Sequence, residues 1–165
     1  MTSRPAPATA SRRAGLRAAA RPGILAGLLA ALLIDAYRLG VDAFAHGTEV
    51  VEHHYRHVAA AVIGAGAFAL PGAAYLGVAI HVVVSVAWAV GFASVALQAP
   101  QVVRRPILSG AVFGVVVYIT MQLIEYFAGT AHPVTPAGIF AQLVAHTIFF
   151  GIPLALVVDA RLRAR

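Results

Sequence analysis

Four long apolar runs dominate the sequence and restrict the chain to a bundle inside a membrane. They cover Gly23–Ala45, Tyr75–Leu97, Ile107–Ala128 and Gly138–Val158, and each has roughly the 20 residues that a helix needs to cross a bilayer. Hydrophobic residues make up 61% of the 165 residues and charged residues 11%, whereas a soluble domain has about 45–50% and 25%. We therefore predict an all-α integral membrane protein with four transmembrane helices.

The arginines set the orientation that we expect for these helices. With four spans, ten of the twelve arginines lie on one side, which the positive-inside rule makes cytoplasmic. Arg38 lies within a span and Arg56 on the opposite side. The ten are Arg4, Arg12, Arg13, Arg17, Arg21, Arg104, Arg105, Arg161, Arg163 and Arg165. We predict a basic cytoplasmic leader over residues 1–22, a membrane domain over 23–158 and a basic cytoplasmic tail over 159–165.

A shorter apolar run, Val58–Leu70, ends before Pro71 and is too short to span a bilayer. We interpret it as a short extra helix that is interfacial, re-entrant or packed on the surface of the bundle. If this run crossed the membrane, Arg104 and Arg105 would lie outside, against the positive-inside rule.

The N-terminal segment has a second interpretation. Ser11–Arg17 is similar to a twin-arginine export signal, and the small residues around Phe44 fit a cleavage site. Gly15 stands where such a signal usually has Phe, and Asp35 and Asp42 lie before the cut. We therefore favour a basic leader that binds anionic headgroups.

The first and third runs align at an offset of 83 residues. Ile24–Gly27 then pairs with Ile107–Gly110, and Asp42 pairs with Glu125. The second and fourth runs align through His81 and His146. We predict two helix-hairpin repeats in parallel orientation, the first enlarged by residues 46–77. Chance similarity between apolar helices is the alternative.

Charged residues inside the first span form the candidate intramembrane charge cluster Asp35, Arg38 and Asp42, with Glu125 in the third span. Steps of three or four residues put the first three on one helix face, where Arg38 would share its donors between the two aspartates. The cluster either has a structural role, in which its neutralised charges hold the helix in one orientation, or takes part in ion or proton movement.

All seven histidines fall on the predicted external half. Glu49, His53 and His57 follow one another at intervals of four residues, so their side chains share a helix face and can bind a transition metal. His81 and His146 lie within spans. We name Glu49, His53, His57, His81 and His146 as the candidate metal set, with a solvated, pH-sensitive loop as the alternative.

The two intramembrane histidines have further interpretations. They could pair with Asp42 and Glu125, one each. They could also bind a b-type haem, or be satisfied by a nearby hydroxyl or carbonyl group. The absence of cysteine excludes thiolate metal sites and c-type haem attachment. A divalent transition metal is the cofactor that we consider first, and b-type haem the second.

The pattern of an early glycine in one helix and a histidine in the next, repeated, resembles small four-span prokaryotic membrane proteins of unknown function. The resemblance implies the plasma membrane of a prokaryote and no particular activity. The expected partners are the lipid bilayer and either a second copy or a heteromeric membrane complex; nucleic acid is not expected, because the arginines are explained by topology.

Three functional classes remain open. The first is a cation- or proton-linked binding or transport component with an outward-facing His/carboxylate cluster, which we favour because the polar residues gather on one side. The second is a His-ligated metal or b-haem enzyme or redox protein. The third is a structural or accessory membrane subunit without catalysis, whose glycine-lined faces form its interface.

Overall fold

The computed structural model describes residues 8–131, 133 and 135–164, and every regular element in them is helical. Helix α1 is followed by α2, a short 3-10 turn at Ala65–Phe68, α3, a one-turn α4, and α5. Helix α6 continues through a π-helical segment, Ala145–Gly151, into α7. The bounds are α1 Ala8–His46, α2 Glu49–Ile63, α3 Ala73–Gln98, α4 Gln101–Arg104, α5 Pro106–Phe127, α6 Pro136–Val144 and α7 Ile152–Arg163.

Four helical stretches are long and apolar enough to cross a membrane, which confirms the predicted multi-pass architecture. They are Arg17–His46, Ala73–Gln98, Pro106–Phe127 and Pro136–Arg163. Helix α1 begins at Ala8 and so runs through most of the segment that we expected to be a leader, while residues 1–7 lie outside the described part of the chain.

The short extra helix begins at Glu49 and ends at Ile63, nearer the N-terminus than the apolar run at 58–70 predicted. Gly47 has φ +89°, a left-handed conformation that glycine adopts without strain, and it separates α1 from α2. Glu49 and His53 therefore lie on a separate helix from Asp35, Arg38 and Asp42.

Glycines without room for a side chain bring the helices together in two pairs. In the first pair, a Cβ on Gly27 of α1 would stand 2.6 Å from Cα of Val86 on α3. In the second, a Cβ on Gly110 of α5 would stand 2.6 Å from the carbonyl oxygen of Gly151, and Gly114 lies against the carbonyl of His146. Small residues at such crossings let backbones approach closely, which favours helix association in lipid.

Helix α1 packs against α3, against the π segment and against α7. Helix α5 packs against the π segment and α7, and its Phe113 touches rings of α3. The core between these helices is rich in small side chains: Ala26, Ala30, Ala89, Ala93, Leu154, Ala155 and Val158.

The π segment ends two residues before a proline. Pro153 has no N–H to donate to the carbonyl four residues before it, so the regular ladder is interrupted just upstream. Thr147 also donates a hydrogen bond of 2.6 Å to the carbonyl of Leu143, which is a common companion of local helix distortion. His146 therefore lies on irregular backbone in the middle of the fourth membrane helix.

The two ends of the bundle differ in chemistry. At one end, called the histidine end below, α1 finishes at His46 and α2 carries His53, His54 and His57. At the other, called the arginine end, the described arginines are Arg17, Arg21, Arg104, Arg105, Arg161 and Arg163. His132 lies outside the described residues.

Candidate functional site

The carboxylate of Asp35 is shared between two other helices. Its Oδ2 accepts a hydrogen bond of 2.9 Å from the hydroxyl of Tyr55 on α2. Its Oδ1 lies 3.1 Å from Nε2 of His81 on α3. Tyr55 is buried, and the side chains of Asp35 and His81 are each about four-fifths buried. This three-residue group, the Asp35 cluster, joins α1, α2 and α3.

The contact between His81 and Asp35 has the distance of an ion pair but not the alignment of a hydrogen bond. Nε2 of His81 is buried and has no hydrogen-bond partner among the described residues. A buried imidazole nitrogen in this state costs free energy unless it shares a proton with the carboxylate or with water.

Gly77 positions Tyr55 for this contact. It lies one turn before His81 on α3, and a Cβ at Gly77 would collide with the backbone carbonyl of Tyr55. Helix α2 can therefore lie directly on α3 with the Tyr55 hydroxyl turned towards Asp35.

Arg56 holds the other side of α2 in place. Its Nη1 donates hydrogen bonds to the carbonyls of Phe68 at 2.9 Å and Leu70 at 3.0 Å, and more weakly to Ala67 at 3.3 Å. Its Nη2 forms an ion pair of 2.7 Å with Glu52. The arginine that falls at the histidine end thus caps the connection between α2 and α3.

Arg38 pairs with only one of the two aspartates that flank it. Its Nη2 lies 3.0 Å from Oδ2 of Asp42, whereas both oxygens of Asp35 face Tyr55 and His81. The expectation that Arg38 bridges both carboxylates is therefore wrong, because α2 supplies Asp35 with another donor. Nε of Arg38 is buried and has no hydrogen-bond partner among the described residues.

His54 lies beside the Asp35 cluster on α2, with its ring 5.4 Å from that of Tyr55. Burial, and to a lesser extent the nearby His81, lower the pKa of His54 to about 4. His54 is therefore neutral at neutral pH. Burial also raises the pKa of Tyr55, as does its hydrogen bond to Asp35, so the phenol keeps its proton and remains a donor.

A small cavity of about 60 Å³ separates the Asp35 cluster from His146. A single water needs about 10–15 Å³ and several polar partners, and this cavity is lined by three polar side chains, His81, Ser85 and His146. The other lining residues are Ile34, Val84, Trp88, Val117, Met121 and Phe150. The cavity lies far below the roughly 300–1,000 Å³ of sites for large ligands, and haem binding by the two histidines remains a prediction.

The surroundings of His146 define its tautomer when it is neutral. Its Nδ1 lies 2.9 Å from the carbonyl of Gln142 and donates to it, which leaves Nε2 as an acceptor. Its ring lies 5.5 Å from that of Tyr118. The predicted pairing of the two histidines with Asp42 and Glu125 is wrong for His81, which contacts Asp35. Glu125 is half-buried in the last turn of α5, and its pairing with His146 remains a prediction.

The five candidate metal ligands fall into three places. Nε2 of His53 and Nε2 of His57 lie 3.1 Å apart on α2, while exposed Glu49 lies in the first turn of that helix. His81 and His146 face the cavity instead. Within the described part of the chain, no three His, Asp or Glu side chains are arranged to hold one metal ion. Metal binding therefore remains a prediction, with the His53–His57 pair as its local geometric basis.

Two tyrosines of this region were missed as site residues. The sequence carries a signal for Tyr55 in its spacing of four residues from Ala59, which puts both on one face of α2, and both are buried in the structure. Tyr118 has no such signal, because its proximity to His146 depends on the close approach of α5 to the π segment.

Comparison with known proteins finds no matching family model, no similar curated protein and no similar solved structure.

Proposed function

We propose that this protein is a proton-linked binding or transport component of a prokaryotic plasma membrane, with Asp35 and His81 as its protonatable pair. The observation that carries the proposal is the 3.1 Å contact between Asp35 and His81 beside a cavity large enough for water. Ionisable groups within a membrane helix are costly and usually serve transport, proton transfer or ligand binding.

The pair has what proton exchange requires. Histidine is the side-chain type best suited to proton exchange near neutral pH, and the carboxylate of Asp35 lies where it can compensate the charge of an imidazolium at His81. Tyr55 orients the carboxylate through its hydrogen bond of 2.9 Å, as second partners orient catalytic and metal-bound groups. Beyond the cavity, the acceptor Nε2 of His146 offers a second position for a proton or a polar solute.

The access route in this proposal runs from the histidine end, which faces outwards if the arginine end is cytoplasmic. Towards the arginine end, the described interior is lined by apolar side chains such as Phe92, Leu154 and Val158. A continuous path through one chain in this conformation would have to cross that apolar layer. The proposal therefore places binding at the Asp35 cluster and assigns transport to a second conformation or an assembled complex.

The two-repeat interpretation supports this view of the site. Gly27 and Gly110 are separated by 83 residues, as are Asp35 and Tyr118. His81 contacts Asp35, and His146 contacts Tyr118. The two contacts therefore involve equivalent positions of the proposed repeats. In the proposed duplication both hairpins keep an interior histidine, and in the first hairpin this histidine contacts a carboxylate.

The test is proton movement in liposomes that contain a pH-sensitive dye. Gradients of protons, Na⁺, K⁺ and Mg²⁺ are imposed in turn on wild-type, Asp35→Asn and His81→Gln protein. We expect at least one gradient to move protons faster than in protein-free liposomes, and both variants to lose this activity. Asp159→Asn at the arginine end and His57→Gln on α2 are matched controls and should retain it.

Two results would contradict the proposal. One is proton movement no faster than the protein-free background under all four gradients. The other is undiminished movement in Asp35→Asn and His81→Gln, which would show that the pair has only a structural role.

A further inference from the structure

A long open groove runs between helices α3 and α5 at the arginine end. Its volume is about 630 Å³, within the range of sites that enclose a drug-sized ligand. The helices meet through three rings: Phe113 of α5 lies 5.8 Å from Trp88 and 4.9 Å from Phe92. Residues of both helices and of the connection between them line the groove, which is open to the surroundings.

The groove has an apolar body and a polar end. Phe92, Val112 and Val116 line its length, and Arg105 and Gln101 lie at its end. The guanidinium of Arg105 forms no ion pair or hydrogen bond with the described residues. An unpaired cation at the end of an apolar groove matches the chemistry of an anionic amphiphile.

The length of the groove matches one leaflet of a bilayer. From Arg105 to Val116, both of which line the groove, α5 rises about 16 Å at 1.5 Å per residue. The hydrocarbon core of a bilayer is about 30 Å thick, so the groove extends over about half of it. An acyl chain whose headgroup phosphate lies at Arg105 would therefore end near the middle of the membrane.

We propose that this groove binds an anionic phospholipid of the membrane, with one acyl chain between α3 and α5 and the phosphate on Arg105. The guanidinium presents paired N–H donors to phosphate oxygens, a geometry that Lys does not offer. This site is separate from the Asp35 cluster and does not depend on the proposed function.

The single tryptophan of the chain provides a direct probe, because Trp88 lines the groove. Protein in lipid nanodiscs receives a small fraction of phosphatidylglycerol brominated along its acyl chains, or the same fraction of brominated phosphatidylcholine. Bromine quenches tryptophan only at close range. We expect the anionic lipid to quench Trp88 at about fivefold lower mole fraction, the effect of one arginine near an anionic headgroup.

Two variants test the groove itself, and one serves as a matched control. Arg105→Gln removes the cation, and Gly91→Leu fills the groove from α3, where a Cβ at Gly91 has nothing within 4 Å. Both should abolish the preference for the anionic lipid. Arg104→Gln removes the neighbouring charge, which does not line the groove, and should keep the preference.

Three outcomes would overturn the proposal. Equal quenching by both lipids would show an ordinary lipid-facing surface. An equal loss of preference in Arg104→Gln and Arg105→Gln would show a general surface charge. Quenching by neither lipid, together with a dimer mass in the same nanodiscs, would show that a second copy covers the groove.

Discussion

At the scale of single residues, Asp35 illustrates how a helix from outside the predicted spans completes an intramembrane site. The sequence showed three charges on one face of α1, and that spacing was sufficient to predict the Arg38–Asp42 pair. It did not show that Tyr55 would donate to Asp35, because this contact depends on how α2 folds back. The partner of a carboxylate 20 residues away along the chain is a tertiary property that local spacing does not contain.

The buried His54 leads to a prediction of how the stability of the protein changes with pH. Its pKa is about 4 in the folded protein and about 6.5 when unfolded, so the unfolded chain binds more protons between these values. Stability therefore rises with pH across that window and is lost as pH falls. As the pH falls from 6.5 to 4, the free energy of unfolding of the wild-type protein should decrease by up to about 3 kcal/mol relative to that of His54→Gln.

The measurement is the free energy of unfolding in detergent at several pH values. At each pH the value for the variant is subtracted from that for the wild-type protein. Thr48→Ser is the control, because it changes an exposed residue without a titratable group just before the same helix, and it should give a flat difference. A flat difference for His54→Gln as well would show that His54 is accessible to water and titrates normally.

At the scale of elements, close glycine contacts decide which helices are neighbours. The apolar runs alone were enough to predict four membrane helices, since length and hydropathy define a span. The short helix was harder to place, because its buried face begins among the charged and histidine residues at 49–57 and its apolar stretch continues beyond Ile63 into the 3-10 turn. Its anchoring by Arg56 to three carbonyls could not be predicted from hydropathy.

Gly77→Ala tests the contact that positions α2. The added Cβ would meet the carbonyl of Tyr55, so α2 must move away from α3 and the Tyr55–Asp35 hydrogen bond should weaken. We expect a loss of about 1–3 kcal/mol, the usual cost of overpacking, measured by unfolding in mixed detergent micelles.

Gly91→Ala is the matched control on the same helix, where the new Cβ meets nothing within 4 Å. It should leave stability unchanged or raise it by up to about 1 kcal/mol, because alanine favours helix over glycine. Equal effects of the two substitutions would indicate that α2 does not rest on Gly77 in the membrane-embedded protein.

At the scale of the whole molecule, the chain separates two kinds of polar chemistry by an apolar layer. Titratable groups with buried contacts occupy the histidine end, whereas arginines surround the other end and one of them terminates the lipid-sized groove. The sequence already predicted this division, because all seven histidines fall on one half of the predicted spans and ten of the twelve arginines fall on the opposite side. It did not predict the groove, because the contacts of Phe113 with Trp88 and Phe92 depend on how α5 packs beside α3.

The functional proposal requires that the histidine end face outwards, and the absence of cysteine makes this directly measurable. Thr48, between α1 and α2, and Ala164, just after α7, are both exposed at opposite ends of the bundle. In intact cells, a membrane-impermeant maleimide should label Thr48→Cys and should reach Ala164→Cys only after permeabilisation. The reverse pattern would place the Asp35 cluster on the cytoplasmic side. Labelling of both sites in intact cells would be incompatible with four spans, because an odd number of crossings separates the two residues in that topology.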